Sequence, residues 1–545
     1  MTPEPPKNNP LAAQGIGPGV LAGVAVSVVC AIGLGFVFQG LSAPLAVAAL
    51  GTGGLAGMLT AWRTRRGAAL PMTAWDVLML TVFALASLRA FLWLIYATGG
   101  EWRILSPYNL GDISLHMQFI RYFASGVAFW PESPILSGSP LVYPPGADLW
   151  NSLLLLVGIP VERGLVWTGL AGASLTAWAL WRWGGAFALA AFLFNGGLAG
   201  FAIFHSGRLE DFQSELAWKN FFLTMLVTQR GLLYALPCGL LLLRAWRDEF
   251  FHGGSGLPRP VAFFLYVTTP IFSVHTFLFL SVAIASMFVF QARARVGLLI
   301  FVAAAVLPAS LAMWLVTGGF ASASGLRWLP GWMQGDGGWR FWTMNFGLSL
   351  PLLAALAWRG IVRGDAESRA FSTVALGVFA VCFTVSFAPW EWDNTKLLVW
   401  AWLAAAPFLW RCVLLPLSGM LRIALCVGLF FTGALSLTGG LDGRHGYTLA
   451  KRSELAAAQI ALADMPPGSL IAVEPEFNHP VILLGYPVVC GYEGHLWSHG
   501  LPYRERLAAL RRVLQKQPGW LETAAHLKAK AIYLRGEPPQ VIRVP

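Results

Sequence analysis

The chain has 545 residues, 57% of them hydrophobic and only 12% charged. A soluble domain carries about 25% charged residues, so this composition belongs to an integral membrane protein. The net charge of +11 comes largely from Arg clusters between apolar runs, the cytoplasmic bias of such proteins, which excludes a nucleic-acid partner as its explanation. The 25 Trp residues suit interfacial belts. Of the six cysteines, Cys30, Cys238, Cys382, Cys412 and Cys426 fall in or beside apolar runs and Cys490 alone lies in a soluble segment, so no structural disulfide is expected.

The N-terminal MTPEPPKNNP has one Lys and no clear cleavage site before its apolar run, which reads as a retained first span rather than a signal peptide. Apolar runs follow at 16–38, 41–61 and 75–98, with Arg63, Arg65 and Arg66 placing the second link in the cytoplasm and the loop 99–148 outside. The run 149–159 is too short to span and reads as a half-helix in the outer leaflet. Spans at 164–181 and 184–204 flank Trp181-Arg182-Trp183 inside, leaving 205–219 outside, and the span 221–243 returns to Arg244 and Arg247. Between Arg259 and Arg293, Pro270 and His275 interrupt the apolar run, as in a broken hairpin with its apex outward. Runs at 296–318, 342–358, 371–388, 395–412 and 419–438 bring the expected total to about thirteen spans, with the N-terminus cytoplasmic and the C-terminus outside.

From about 445 the hydropathy falls to that of a soluble unit. SLIAVEP (469–475), HPVILLGYPVVCG (479–491), AKAIYLRG and VIRV read as strands, and YRERLAALRRVLQ as an amphipathic helix. The division is therefore 1–444, a transmembrane domain with the large outer loop 99–148, and 445–545, a small α/β extracytoplasmic domain. GYEGHLWSHG (491–500) reads as a loop able to overhang the membrane site. His495 and His499 would ligate a metal only on a helix, and the glycines argue against one; no metal and no cofactor are expected.

The outer face gathers the polar chemistry. Asp112 follows a Gly just past a span and opens an amphipathic pattern, which suits a general base for an incoming hydroxyl or amine and equally an N-cap. His116, one turn on, orients that acid, holds a phosphate, or is a plain interfacial histidine. Tyr143 belongs to a rigid YPPG turn and is a candidate substrate contact. Gln229 and Arg230 sit about 13 Å into a span at 1.5 Å per residue, and an intramembrane Arg is a functional candidate, here for a lipid phosphate, unless it pairs with Asp211 or Glu215. PWEWDNTK (389–396) sets Glu391, Trp392, Asp393, Asn394 and Lys396 at an outer mouth, where Lys396 suits a phosphate and the indoles a sugar face, or all of them an aromatic belt with snorkelling charges. His275 sits at the apex of the broken hairpin. No P-loop, GxGxxG, HExxH, CxxC or Gly-Xaa-Ser-Xaa-Gly element occurs in a usable context.

Taken together, the acid after an early span (Asp112), the long first outer loop, YPPG, the broken hairpin with His275 in PIFSVHTF, and the C-terminal outer domain resemble the GT-C-fold integral membrane glycosyltransferases. The resemblance implies an inverting transfer of a hexosyl or pentosyl group from a polyprenyl-phosphate carrier to a glycan, lipid or protein acceptor on the periplasmic side of a bacterial inner membrane. Asp112 would be the base, with His116 beside it. Arg230, Lys396 and Gln229 would hold the donor phosphate. Tyr143, Asp211, Glu215, His275, Glu391, Trp392, Asp393 and Asn394 would contact substrate. The chain departs from many relatives in carrying one acid rather than an adjacent pair, in two extra leading spans, and in lacking a WWDYG motif. A transporter or flippase of lipid-linked saccharide, and an O-antigen-ligase- or polymerase-like enzyme, are the alternatives.

Overall fold

In hydrocarbon a backbone must satisfy its own N–H and C=O groups, so the apolar runs fold as helices. A computed structural model of the chain describes residues 15–65, 71–254, 256–320, 326–443 and 446–545. Arg66, the N-terminal decapeptide and the expected boundary at 444–445 lie outside the described residues. Six described helices are long and apolar enough to cross a membrane: Ile16–Phe38, Ala43–Thr64, Ala74–Leu92, Ala292–Val316, Glu391–Leu414 and Gly419–Gly440. A pair bent by 82°, Gly338–Asn345 with Ser349–Val362, raises this to seven if it counts as one span. The chain is a mainly helical, polytopic membrane protein.

Several expected spans are interrupted instead of straight. The runs 164–181 and 184–204 are carried largely by one helix, Val161–Leu193, kinked where Gly184 and Gly185 leave helical geometry. The run 221–243 is not a continuous helix, as the sequence suggested. A π-turn, Phe222–Leu226, ends short of Arg230, and the helix Leu232–Phe251 starts beyond it. Gly231 is required there, since a Cβ on it would lie 2.1 Å from the Phe272 carbonyl oxygen. The hairpin at 259–290 breaks as expected: Arg259–Phe272 stops at an extended Ser273, whose hydroxyl accepts from Thr276 N at 3.2 Å and starts Val274–Phe290.

The helix Leu232–Phe251 has 20 residues, about 30 Å at 1.5 Å per residue, and its two ends meet different chemistry. At its C-terminal end Arg63, Arg182, Arg244 and Arg259 line a cleft. Nearby, buried Glu367 accepts from Arg247 and, at 2.6 Å, from Arg411. Its N-terminal end abuts Arg230 and the groups described below.

The C-terminal residues form a parallel pair, Ile471–Ala472 with Ala531–Leu534, extended antiparallel by Gln540–Arg543. The amphipathic helix is Arg504–Leu514. Two expectations are corrected. HPVILLGYPVVCG is not a strand: Pro480 and the His479 side chain, which accepts from Val481 N, launch the short helix Pro480–Leu483, and Val488 and Cys490 keep only isolated bridges. GYEGHLWSHG is not a loop, because Glu493–Ser498 is helical and carries His495. This region is stitched to the first long loop: Tyr447–Lys451 pairs with Glu101–Ile104, and Val488 N and Gly491 N donate to Pro134 O and Ile135 O at 2.9 and 2.8 Å.

Candidate functional site

The helix Asp112–Ala124 begins at Gly111, and the Asp112 side chain makes no cap bond, so the N-cap reading does not hold. Asp112 Oδ2 instead accepts from Gln229 Nε2 at 3.3 Å. The charges that face it are His116 on its own helix, Lys396 and Asp393 from the 391–396 turn, and Arg230 from the break in the 221–243 run. Burial holds this carboxyl, which lies beyond the apolar spans, above the ordinary carboxylate range, against the opposing pull of His116, Lys396 and Arg230.

Asp112, Tyr143, Gln229, His275, Asp393, Lys396 and His499 are each half-buried, and the groups among them that face one another make a polar cluster, called the recess below. Behind them, His116, Asp148 and Arg230 are buried, at 4%, 1% and 2% exposure. His116 Nδ1 meets Asp148 Oδ1 at 2.8 Å, which fixes the imidazole and leaves Nε2 for other work. Asp148 follows YPPG by two residues; the sequence sets it on the outer face without a role, and an acid just beyond a rigid turn was the signal available.

Arg230 sits in irregular backbone, where its Nη2 donates to the free Val227 carbonyl and, at 3.5 Å, to Asn109 Oδ1. It does not pair with Asp211 or Glu215. Its Nε and Nη1 find no acceptor among the described residues. A buried guanidinium with unused donors is costly unless an anion meets it, and an oxyanion on either atom relieves part of that cost. Lys396 is held by Asp393 at 3.1 Å, and His275, in the first turn after Ser273, faces both. The 491–500 segment reaches these residues: the His499 ring stacks on Tyr143 at 5.5 Å and 19°, and a Cβ at Gly111 would lie 3.1 Å from His495 Nε2.

The remaining candidates are elsewhere. Asn394 is fully buried, with its side chain bonded to Phe387 N, Cys382 O and Val385 O, so it braces the turn instead of facing the recess. Asp211, Glu215 and Trp392 line a second cleft of about 1650 Å³ with Lys219, Arg340 and Trp390, and none of the recess residues line it. There Tyr108 OH donates to Asp211 Oδ2 at 2.6 Å, and burial holds Asp211 above the ordinary carboxylate range. Glu391 lies 3.8 Å from Arg327 at a more exposed position. The 390–396 turn thus contributes to both places: Trp390 and Trp392 line the cleft, while Asp393 and Lys396 face Asp112.

Fold and site together define a polytopic membrane protein with a polar, mixed-charge recess at one end of its helices. No protein-family model and no curated protein matches the chain. Among solved structures the chain is similar to the archaeal oligosaccharyltransferase AglB from Archaeoglobus fulgidus, in complex with an inhibitory peptide and a dolichol-phosphate, at 12% identity and a TM-score of 0.37, covering 84% of this chain and 69% of that one. A likeness at that level carries nothing about chemistry.

Proposed function

We propose that this chain is a membrane glycosyltransferase of GT-C type that moves a sugar from a polyprenyl-phosphate-linked donor to an acceptor on the extracytoplasmic face, with Asp112 as general base. The observation that carries the reading is the convergence of a buried carboxylate, Asp112, with a buried guanidinium, Arg230, whose Nε and Nη1 have no acceptor among the described residues. The acceptor hydroxyl or amine attacks the anomeric carbon and the bond from that carbon to the phosphate oxygen breaks. The electron pair leaves with the polyprenyl phosphate, and the acceptor's proton passes to Asp112. A carboxylate whose pKa is raised by burial is the stronger base for that transfer. Arg230 and Lys396, with Gln229 beside them, meet the charge that develops on the leaving phosphate, the point at which fixed cations stabilise a transition state most. His116, oriented by Asp148, faces Asp112 from one turn along the same helix.

In this reading the recess opens outward, the Arg-rich end is cytoplasmic, about thirteen passes cross a bacterial inner membrane, and residues 445–545 form an extracytoplasmic domain lying over the recess. Tyr143, His275 and Asp393 contact the donor side, and the cleft of Asp211, Glu215 and Trp392, with Glu391 near its turn, is reserved for the glycan, lipid or protein acceptor. The test is turnover: purified protein given a polyprenyl-phosphate-linked sugar and membrane extract as acceptor source should release free polyprenyl phosphate. Lipid-linked sugar that is moved across vesicles but recovered intact identifies a transporter and ends this reading.

A further inference from the structure

Tyr143 stands between two rings, Phe119 at 5.0 Å and 16° and His499 at 5.5 Å and 19°. The stack ties the helix Asp112–Ala124, the YPPG turn and the C-terminal segment into one unit, and it fixes the imidazole plane so that its nitrogens project from the edge of the stack. The segment is anchored on both sides. Leu496 is fully buried and its carbonyl accepts from Leu501 N at 2.9 Å, while Gly491 N donates to Ile135 O. The groups facing His499 are Lys396 and Asp393 from the 391–396 turn, His116 from the helix of Asp112, and His495 from its own helix.

Resting on the function proposed above, we infer that His499 is a ligand of the donor's phosphate, supplied to the recess by the C-terminal segment beside Lys396. Lys396 then faces two imidazoles, His275 from the hairpin break and His499 from the C-terminal segment. A stacked imidazole donates to such a phosphate without the entropy loss of a flexible side chain. Burial and then Lys396 push His499 down to about 4, so it is neutral at pH 7 and donates one N–H. An arriving phosphate offsets the lysine's charge and favours protonation of the ring. Phosphate binding is therefore coupled to proton uptake and strengthens as pH falls from about 7 toward 5.

The test uses the full chain in detergent, titrated with a polyprenyl monophosphate and with the uncharged polyprenol of equal length. His499→Phe keeps a ring against Tyr143. It should bind the phosphate lipid about tenfold more weakly, the value of one charge-assisted hydrogen bond, bind the alcohol unchanged, and show a flatter pH dependence than the wild type. If the wild type prefers the phosphate lipid but His499→Phe matches it, or weakens equally toward both lipids, the assignment of His499 is overturned and the function stands. If the wild type itself does not distinguish the two lipids, the function and this inference fall together. Calorimetry of the wild type in buffers of different ionisation enthalpy reads the same coupling without a variant: net proton uptake is expected, and its absence overturns the inference.

Discussion

Replacing Asp112 by Asn separates a catalytic acid from a structural one, because the two roles predict opposite stability changes. Asp112 lies in the first turn of its helix, where a negative charge is worth about 0.3–1 kcal/mol, and a purely structural acid would lose that on substitution. Here the ionised carboxyl is instead penalised by burial, so the neutral amide should be tolerated or stabilising, and Gln229 retains a partner. The sign with pH follows. A carboxyl whose folded pKa is raised leaves stability intact below the unfolded value, and that stability is lost as pH climbs through the folded one. The thermal stability of wild type minus Asp112→Asn should therefore decline across the window from the ordinary carboxylate range up to Asp112's raised value. Turnover should fall by about 10²–10⁴, the usual contribution of a positioned base, or roughly 3–5 kcal/mol of barrier. The assay is release of polyprenyl phosphate alongside thermal unfolding from pH 4 to 8. A variant that loses stability yet keeps turnover would refute the reasoning.

Other residues make separable claims. Arg230→Lys keeps the charge but loses the planar fork, and should weaken polyprenyl-phosphate binding at least tenfold in a direct titration. Asp148→Leu leaves His116 without its orienting acceptor; turnover should fall while lipid binding, measured separately, holds. Glu367→Ala strands Arg247 and Arg411 at the far end, costing about 3–5 kcal/mol, read as a lowered unfolding temperature with lipid affinity unchanged. Asn394→Ala removes bonds to three backbone groups and should destabilise by about 1–3 kcal/mol in the same unfolding assay.

Much of the architecture was legible because hydrocarbon imposes a simple rule on sequence. Ile16–Phe38, Ala43–Thr64 and Gly419–Gly440 lie within a few residues of their apolar runs. Failures occurred where the backbone departs from regularity. Nothing in an apolar string marks the π-turn and break before Arg230, which tertiary packing of Phe272 against Gly231 imposes. HPVILLGYPVVCG has strand composition, yet a proline in the first helical turn and a capping histidine decide otherwise. In the recess, Asp112, His116, Tyr143, His275, Asp393 and Lys396 stood near a break or span end in the sequence, and Gln229 and Arg230 stood out as polar groups within a span. The roles of Asp148 and His499 escaped because their partners, His116 and Tyr143, are distant in sequence. Asn394 misled because its polarity looks the same whether it faces a ligand or the backbone.

The central claim is that a lipid phosphate meets Arg230 while the sugar's reacting carbon faces Asp112. A structure of the purified protein with a polyprenyl-phosphate-linked sugar tests it most directly. The account predicts phosphate density within hydrogen-bond reach of Arg230 Nε or Nη1, with Lys396 alongside and the anomeric carbon turned toward Asp112. Phosphate bound in the cleft of Asp211 and Trp392, or at the Arg-rich end beside Arg182 and Arg244, would contradict it.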